Sequence, residues 1–173
     1  MIVELISTGT ELLLGQIVNT NAPYLARQLN DLGYNVLYQS TVGDNRQRMA
    51  QVIDTALKRA DVVITSGGLG PTQGDITKEV AANLLERKMF LHKPSAEHIK
   101  CFFARRNIDM PESNLRQAMM PEGAIVVENQ RGTAPGVIIE AGEKIILKKT
   151  QNISSSLKKT HFSSTALSRN PVL

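Results

Sequence analysis

Residues Ile64 to Thr77 read ITSGGLGPTQGDIT, which places four glycines and a proline between an apolar run and a helical pattern. The run before the glycines, DVVITS (61–66), is too uniformly hydrophobic to have a wet face and fits a central strand of a sheet covered on both sides. After the glycines, DITKEVAANLLERK (75–88) carries Val80, Leu84 and Leu85 at helical spacing, so that face turns to a core. A strand, a glycine-rich connection and a helix in that order form one half of a parallel crossover unit.

The same alternation continues on both sides. Upstream, IVELIS (2–7) reads as a buried strand, and Asn19, Thr20 and Asn21 precede an apolar period at Ala22, Leu25, Ala26, Leu29 and Leu32, a helix that ends at Gly33. NVLYQSTV (35–42) is a second strand. The chain then turns at Gly43, and either Asp44 or Asn45 caps a helix with Met49, Val52, Ile53, Ala56 and Leu57 on one face. Downstream, a short MFLH (89–92) leads into a helix from about Ser95 to Arg106, and PESNLRQAMMPEG (111–123) is a short helix opened by Pro111 and stopped near Pro121. GVIIEAGEKIIL (136–147) is a β-hairpin around Ala141, Gly142 and Glu143. The pattern predicts an α/β protein: a three-layer α/β/α domain over residues 1–147 with a mixed, mostly parallel sheet. From Lys148 onward the periodicity ends, and 148–173, with six serines and five basic residues, is expected to be a flexible tail.

Composition narrows the function classes. The net charge of +4 belongs to the tail: without Lys148, Lys149, Lys158, Lys159 and Arg169, 15 basic residues face 16 acids. With aromatics at 4%, the body offers neither a basic face nor a stacking platform for nucleic acid, so no nucleic-acid partner is expected. No window reaches the ~18 apolar residues of a membrane span and no signal segment opens the chain, so no membrane partner and a cytoplasmic location are expected. Cys101, beside Phe102 and Phe103, is read as a half-buried inert thiol, and His92, His98 and His161 lack zinc-ligand spacing.

Doubly wound sheets bind ligands beyond the carboxyl ends of their strands, where the glycine connection begins. Gly67, Gly68 and Gly70 lack the Cβ that keeps an anion from the backbone, so their amides can approach a phosphate oxygen at about 3 Å. A helix starting near Asp75 to Thr77 adds its N-terminal amides and dipole, about 0.3–1 kcal/mol per favourable charge. No Lys-Ser/Thr pair follows, and the spacing of Gly68, Gly70 and Gly74 departs from the dinucleotide fingerprint, so neither familiar nucleotide motif applies. The alternative is that the glycines only shape a tight strand-to-helix connection. Asp75 is the candidate metal ligand, because a carboxylate beside a phosphate repels it unless a cation intervenes, and magnesium-type ions need only one or two protein carboxylates. Two more polar turns follow apolar strands and can reach the same edge. One holds Thr8, Thr10 and Glu11 and the other Asp44 and Asn45, with Glu11 and Asp44 read either as a helix-start acid and an N-cap or as site acids.

Taken together, STGTELLLGQIVNTN, TVGDN, SGGLGPTQGDITKE, the Asn114, Gln117, Ala118 triplet and GTAPG (132–136) resemble, in order and spacing, the N-terminal domain of the CinA competence/damage-inducible family, within the wider molybdopterin-binding MogA/MoeA-like and MoaB-like fold. The resemblance covers about residues 1–147. It implies a homo-oligomer, dimer or trimer, and a divalent-metal-dependent (Mg, Mn or Co type) hydrolase that splits ADP-ribose, a small nucleotide substrate, into AMP and ribose 5-phosphate. The same fold also serves as a non-catalytic module for a molybdopterin-like ligand. Carried over by position, Asp75, Glu11 and Asp44 are the implied catalytic acids, with Asp75 the metal ligand. The implied binding residues are Thr8, Gly9, Thr10, Gly67, Gly68, Leu69, Gly70, Thr72, Thr77, Asn114, Gln117, Pro135 and Gly136. Two departures stand out: Gly74 replaces the first of two adjacent acids, and KKTQNISSSLKK replaces a proline-bearing turn after Leu147. A truncated or divergent end is the reading of that change, an inactive fragment is the third functional reading, and no counterpart of the family's deamidase domain is expected.

Overall fold

The computed structural model describes residues 1–68, 76–129 and 132–148. The strands are β1 (Ile2–Thr8), β2 (Asn35–Val42), β3 (Val62–Ser66), β4 (Met89–Leu91), β5 (Met119–Pro121), β6 (Ile125–Val127), β7 (Gly136–Ala141) and β8 (Lys144–Lys148). The helices are α1 (Thr10–Leu13), α2 (Asn21–Asp31), α3 (Arg46–Arg59), α4 (Thr77–Leu84) and α5 (Lys93–Ala104), with a 3₁₀ helix at Glu112–Ala118. Six strands form one sheet in the order β2-β1-β3-β8-β7-β6, and β4 and β5 form a second, two-stranded one. β2, β1, β3 and β8 run parallel, while β7 opposes both β8 and β6. The main sheet is therefore mixed and mostly parallel, as the alternation predicted.

Two apolar layers sandwich it. On one face Ile6, Val63, Val137, Ile139 and Ile146 meet Met49, Ile53 and Ala56 of α3 and Val80 and Ala81 of α4. On the other, Val3, Leu5, Val62, Ile64, Ile138 and Ile145 pack with Leu25 and Leu29 of α2. Val62 to Ile64 feed both layers, which is why DVVITS carries no wet face. The hairpin turns where expected, Ala141 pairing with Lys144 across Gly142 at φ 61°.

Several boundaries differ from expectation. The helix expected over 75–88 spans Thr77–Leu84, and Glu86 at φ 54° follows it in a left-handed turn. The segment read as one short helix stops at Ala118, and Met119–Pro121 becomes strand β5, antiparallel to β4. α5 starts two residues early because His92 caps it: its Nδ1 accepts from the Ser95 amide at 3.3 Å and sits 2.8 Å from the Ser95 hydroxyl. Cys101 is exposed, not half-buried, since α5 buries Ser95, Ala96 and Ile99 and turns Cys101 outward. The expected tail beyond Lys148 lies outside the described residues.

One charged group sits inside. Glu4 of β1 is fully buried, accepting two bonds from Arg59 at 2.8 Å and one from Ser40 at 2.7 Å. Arg59 also stacks over the Tyr38 ring at 4.1 Å. Burial pushes the Glu4 carboxyl up, but the Arg59 and Ser40 bonds outweigh it and hold it below the usual carboxylate range.

Candidate functional site

Parallel pairing puts the carboxyl ends of β1, β2 and β3 at one edge, Thr8 opposite Val42 and Ser7 opposite Ser66. The polar turns that follow are then knitted together. Gly9 donates its amide to the Val42 carbonyl at 3.0 Å, and the Thr8 hydroxyl lies 3.4 Å from the Ser66 carbonyl. Asp44 Oδ2 accepts from the amide (3.1 Å) and the hydroxyl (3.0 Å) of Thr10, while the Asp44 amide donates back to Thr10 Oγ1 at 3.2 Å. From the α1–α2 connection, Asn19 donates to the Ser7 hydroxyl at 2.8 Å and accepts from the Ala22 amide at 3.1 Å, so one side chain ties β1 to the start of α2.

The cap of α3 resolves one open choice. Asn45, not Asp44, is the N-cap, with its Oδ1 accepting from the Arg48 amide at 3.0 Å. Asp44 is thereby left to organise the Thr10 turn. Glu11 lies in the first turn of α1, its carboxylate folded over Gly9, where an added Cβ would come within 2.4 Å of Oε1.

Gly67 and Gly68 both have positive φ, 103° and 56°. A Cβ on Gly67 would fall 2.2 Å from the Thr8 carbonyl oxygen and 2.7 Å from its hydroxyl, a close approach only glycine allows. That contact accounts for glycine at this position. Leu69, Gly70, Thr72 and Asp75 lie outside the described residues.

Beyond the loop, α4 starts at Thr77 with no side-chain cap, and the Thr77 hydroxyl, on a residue only 1% exposed, has no partner among the described residues. Lys78 reaches back to the carbonyls of Gln117 (2.8 Å), Met119 (2.9 Å) and Arg116 (3.4 Å), pinning the 3₁₀ helix against this helix start. Asn114 and Gln117 are both buried there, and Asn114 Nδ2 donates to the Pro111 carbonyl at 3.3 Å. Glu79 pairs with Arg46 at the head of α3 and, at 3.0 Å, with Arg116. Burial raises the Glu79 carboxyl, but the two arginines outweigh it and hold it below the usual range. Gly136 opens β7, with Pro135 just before it, and the strand, being antiparallel, begins at the same edge: Val137 faces Lys148, which faces Thr65. Asn129 steadies the connection by donating to the Ala134 carbonyl at 3.0 Å.

The structure therefore gathers Thr8, Gly9, Thr10, Glu11, Asp44 and Gly67 at one edge, and the starts of α4 and β7 rise from that same side of the sheet. No three His, Cys, Asp or Glu side chains cluster as a metal site among the described residues. The sequence reading passed over Lys78, Glu79, Arg46 and Arg116, and placed Asn19 only ahead of the second helix, without its bond to Ser7. Each sits beside a helix start, and an ion pair from 79 to 116 leaves no mark in a local pattern.

The family model for the "Probable molybdopterin binding domain" matches residues 4–155. The chain belongs to this family. Among relatives, a "Putative competence-damage inducible protein" of Acetivibrio thermocellus is 54% identical over 144 residues, 83% of this chain and 35% of that protein. A "CinA-like protein" of Dictyoglomus turgidum is 51% identical over the same length. The chain thus spans about a third of the length of these family relatives. The CinA crystal structure from Thermoplasma acidophilum, described as of unknown function, superposes with a TM-score of 0.80 at 29% identity, covering 94% of this chain and 96% of that one. The molybdopterin biosynthesis enzyme MoaB of Thermus thermophilus, at TM-score 0.63 and 16% identity over 98% of both chains, shares the family's fold. The α/β architecture is thus MogA/MoaB-like. Among the described residues no helix is long and apolar enough to cross a membrane.

Proposed function

We propose that the carboxyl edge of β1, β2 and β3 binds the diphosphate of a small nucleotide and hydrolyses it, converting ADP-ribose and water into AMP and ribose 5-phosphate with a divalent ion as cofactor. The observation that carries the reading is the start of α4, a helix N-terminus where Ile76 provides no side-chain cap and the buried Thr77 hydroxyl has no partner among the described residues, on the same side of the sheet as the Thr8 to Glu11 turn and Asp44. Helix-start amides and a donor hydroxyl are what a phosphate oxygen requires. The residues fit a sparse metal site: Glu11 and Asp44 are at the edge, Asp75 adjoins it in sequence, and magnesium-type ions complete their shell with phosphate and water. When bound, such an ion neutralises charge on the diphosphate.

The chain's own residues then do the following. The α4 amides and Thr77 hold one phosphoryl group, and Thr10, fixed by Asp44, shapes the turn that faces it. Water adds to phosphorus while the bridging P–O bond breaks and the leaving phosphate departs. The Glu11 carboxylate takes the proton the water releases. Incubating the chain with ADP-ribose and Mg, Mn or Co, with a longer relative alongside, tests this. AMP formation that falls on Thr77→Val and on Glu11→Gln supports it, and no AMP with any ion while the relative is active rejects it.

A second reading, non-catalytic binding of a molybdopterin-like ligand, is favoured by the single acid, Asp75, left where Gly74 replaces the first of two adjacent acids, and by KKTQNISSSLKK in place of the proline-bearing turn. Saturable binding of a pterin phosphate that survives Glu11→Gln, without hydrolysis, selects it.

A further inference from the structure

The buried part of β3 is apolar except at one residue. Val62 and Ile64 point to the α2 layer and Val63 to the layer of α3 and α4. Thr65, one step on from Ile64, therefore points to the α3 and α4 side, beside Ile6, its neighbour in β1. No part of Thr65 is exposed, and its hydroxyl has no partner among the described residues. A valine fills the same shape in a strand without burying a hydroxyl, so packing alone gives no reason for threonine here.

A second hydroxyl in the same condition enters that layer from the helix side. Thr77 is 1% exposed and likewise has no hydroxyl partner among the described residues. It lies on the stripe of α4 that carries Val80 and Ala81, three and four residues on, into the core beneath the helix. Thr65 is the last buried residue of β3 and Thr77 the first residue of α4, so both stand at the carboxyl-edge end of the space between sheet and helix.

We infer that Thr65 is a positioning residue for the candidate site, acting through Thr77. A hydroxyl carries one proton and two lone pairs. Once Thr77 donates its proton to a phosphoryl oxygen, its lone pairs are left to the interior, where the Thr65 hydroxyl stands in the same layer. Thr65 then donates to Thr77, directly or through one internal water, and Thr77 donates to the ligand. Each bond polarises the next, so the donation from Thr77 strengthens and its rotor is held on the ligand. With no exposed surface, Thr65 reaches the ligand only by this route. The chain of donors runs one way and so selects an acceptor at its end: an unprotonated phosphoryl oxygen fits, and an N–H group does not. The inference rests on the reading that the start of α4 holds a phosphoryl group, and it stands whether that group is then cleaved or only bound.

Calorimetric titration of the full chain with AMP and with inorganic phosphate, beside a thermal melt without ligand, tests it. Thr65→Val removes the hydroxyl and keeps the shape. It should leave Tm unchanged or raise it by up to about 3 °C, since no bond is lost and an unpaired buried hydroxyl is removed, while weakening both ligands about 5- to 10-fold. Thr65→Ser keeps the hydroxyl and loses a methyl, so it should lower Tm by about 2–4 °C and bind within about twofold of wild type. Stability and affinity moving in opposite directions is the mark of the relay, because a threonine that only supports the fold makes both fall together. Adding Thr65→Val to Thr77→Val should weaken binding no further, as the relay has no other outlet. Affinity that falls in Thr77→Val but is unchanged in Thr65→Val overturns the inference and leaves the proposed function standing. A Thr65→Val whose Tm and affinity fall together overturns it as well. If wild type binds neither ligand, the phosphoryl site at α4 is itself refuted, and the relay with it.

Discussion

Replacing Gly67 by alanine tests the strand-end packing on which the site is built, provided that it is compared with Gly142→Ala. Both glycines have positive φ, 103° and 61°, so both alanines bear a backbone cost of roughly 1–2 kcal/mol. They differ in what the new methyl meets. At Gly142 there is nothing within 4 Å, whereas at Gly67 the methyl falls 2.2 Å from the Thr8 carbonyl oxygen, a backbone atom at the end of β1 that cannot swing away. Relief requires the β1 and β3 ends to part, which weakens the Thr8 to Ser66 contact and the last ladder bonds at about 1 kcal/mol each. The expected losses are therefore about 1 kcal/mol for Gly142→Ala and about 3 kcal/mol or more for Gly67→Ala, equivalent to roughly 2–4 °C and 6–12 °C in Tm for a chain of this size. Urea melts at equal m-value measure both. If the two variants agree to within about 0.5 kcal/mol, the close approach of Gly67 to Thr8 is wrong, and with it the frame proposed for the site.

Other perturbations check the rest of the frame. Glu4→Gln keeps the shape but removes the charge facing Arg59; with Arg59 39% exposed, water repays part of the loss, and about 2 kcal/mol is expected at pH 7. Because the folded Glu4 carboxyl is held below its unfolded value, the stabilisation is full above the ordinary carboxylate pKa and is lost as pH falls through the folded one. Wild type and Glu4→Gln should thus converge in acid, and a gap that stays constant to pH ~3 refutes the charge assignment. Asn45→Ala should cost about 1 kcal/mol through loss of the α3 cap, whereas Asp44→Ala, which leaves that cap in place and frees only exposed bonds to Thr10 at the four-residue α1, should cost less in a urea melt. Lys78→Met strips three carbonyl contacts from the 3₁₀ helix and should cost about 1.5–3 kcal/mol, with faster amide exchange at Gln117 and Ala118; unchanged exchange counts against the clamp.

What was legible in the sequence follows from how local each cause is. DVVITS and the α3 pattern declare themselves because burial on two faces, or on one helical stripe, writes a period into consecutive residues. Met119–Pro121 was hidden because a three-residue strand has no period of its own and exists only by pairing with Met89–Leu91, some thirty residues earlier. α1 was missed for a similar reason: its four residues bury nothing, so only Glu11 marks it. Asp44 and Asn45 show the limit at the site itself. Both residue types cap helices, and the choice between them was made by Thr10, 34 positions away, which engages Asp44 and leaves Asn45 to α3. The clustering of polar turns was foreseeable from strands that end together, but the bonds that join them were not.

The electrostatics of this edge bear on which functional reading survives. Glu79 is already compensated by Arg46 and Arg116, Asp44 Oδ2 is engaged twice by Thr10, and Lys78 is committed to three carbonyls. An arriving anion therefore draws its attraction from these groups only by displacing a bond, and otherwise from helix-start amides and dipoles worth about 0.3–1 kcal/mol each. That suffices for a single phosphate but falls short for a diphosphate facing Glu11 as well, where a counter-ion has to make up the difference. ADP-ribose affinity should accordingly rise about tenfold or more when a divalent ion replaces chelator, while a pterin monophosphate should show a much smaller change. Calorimetric titrations of the intact chain distinguish the two. Equal metal dependence for both ligands contradicts the dipole argument itself, whereas strong dependence for ADP-ribose without AMP formation retains the site and removes only the hydrolysis.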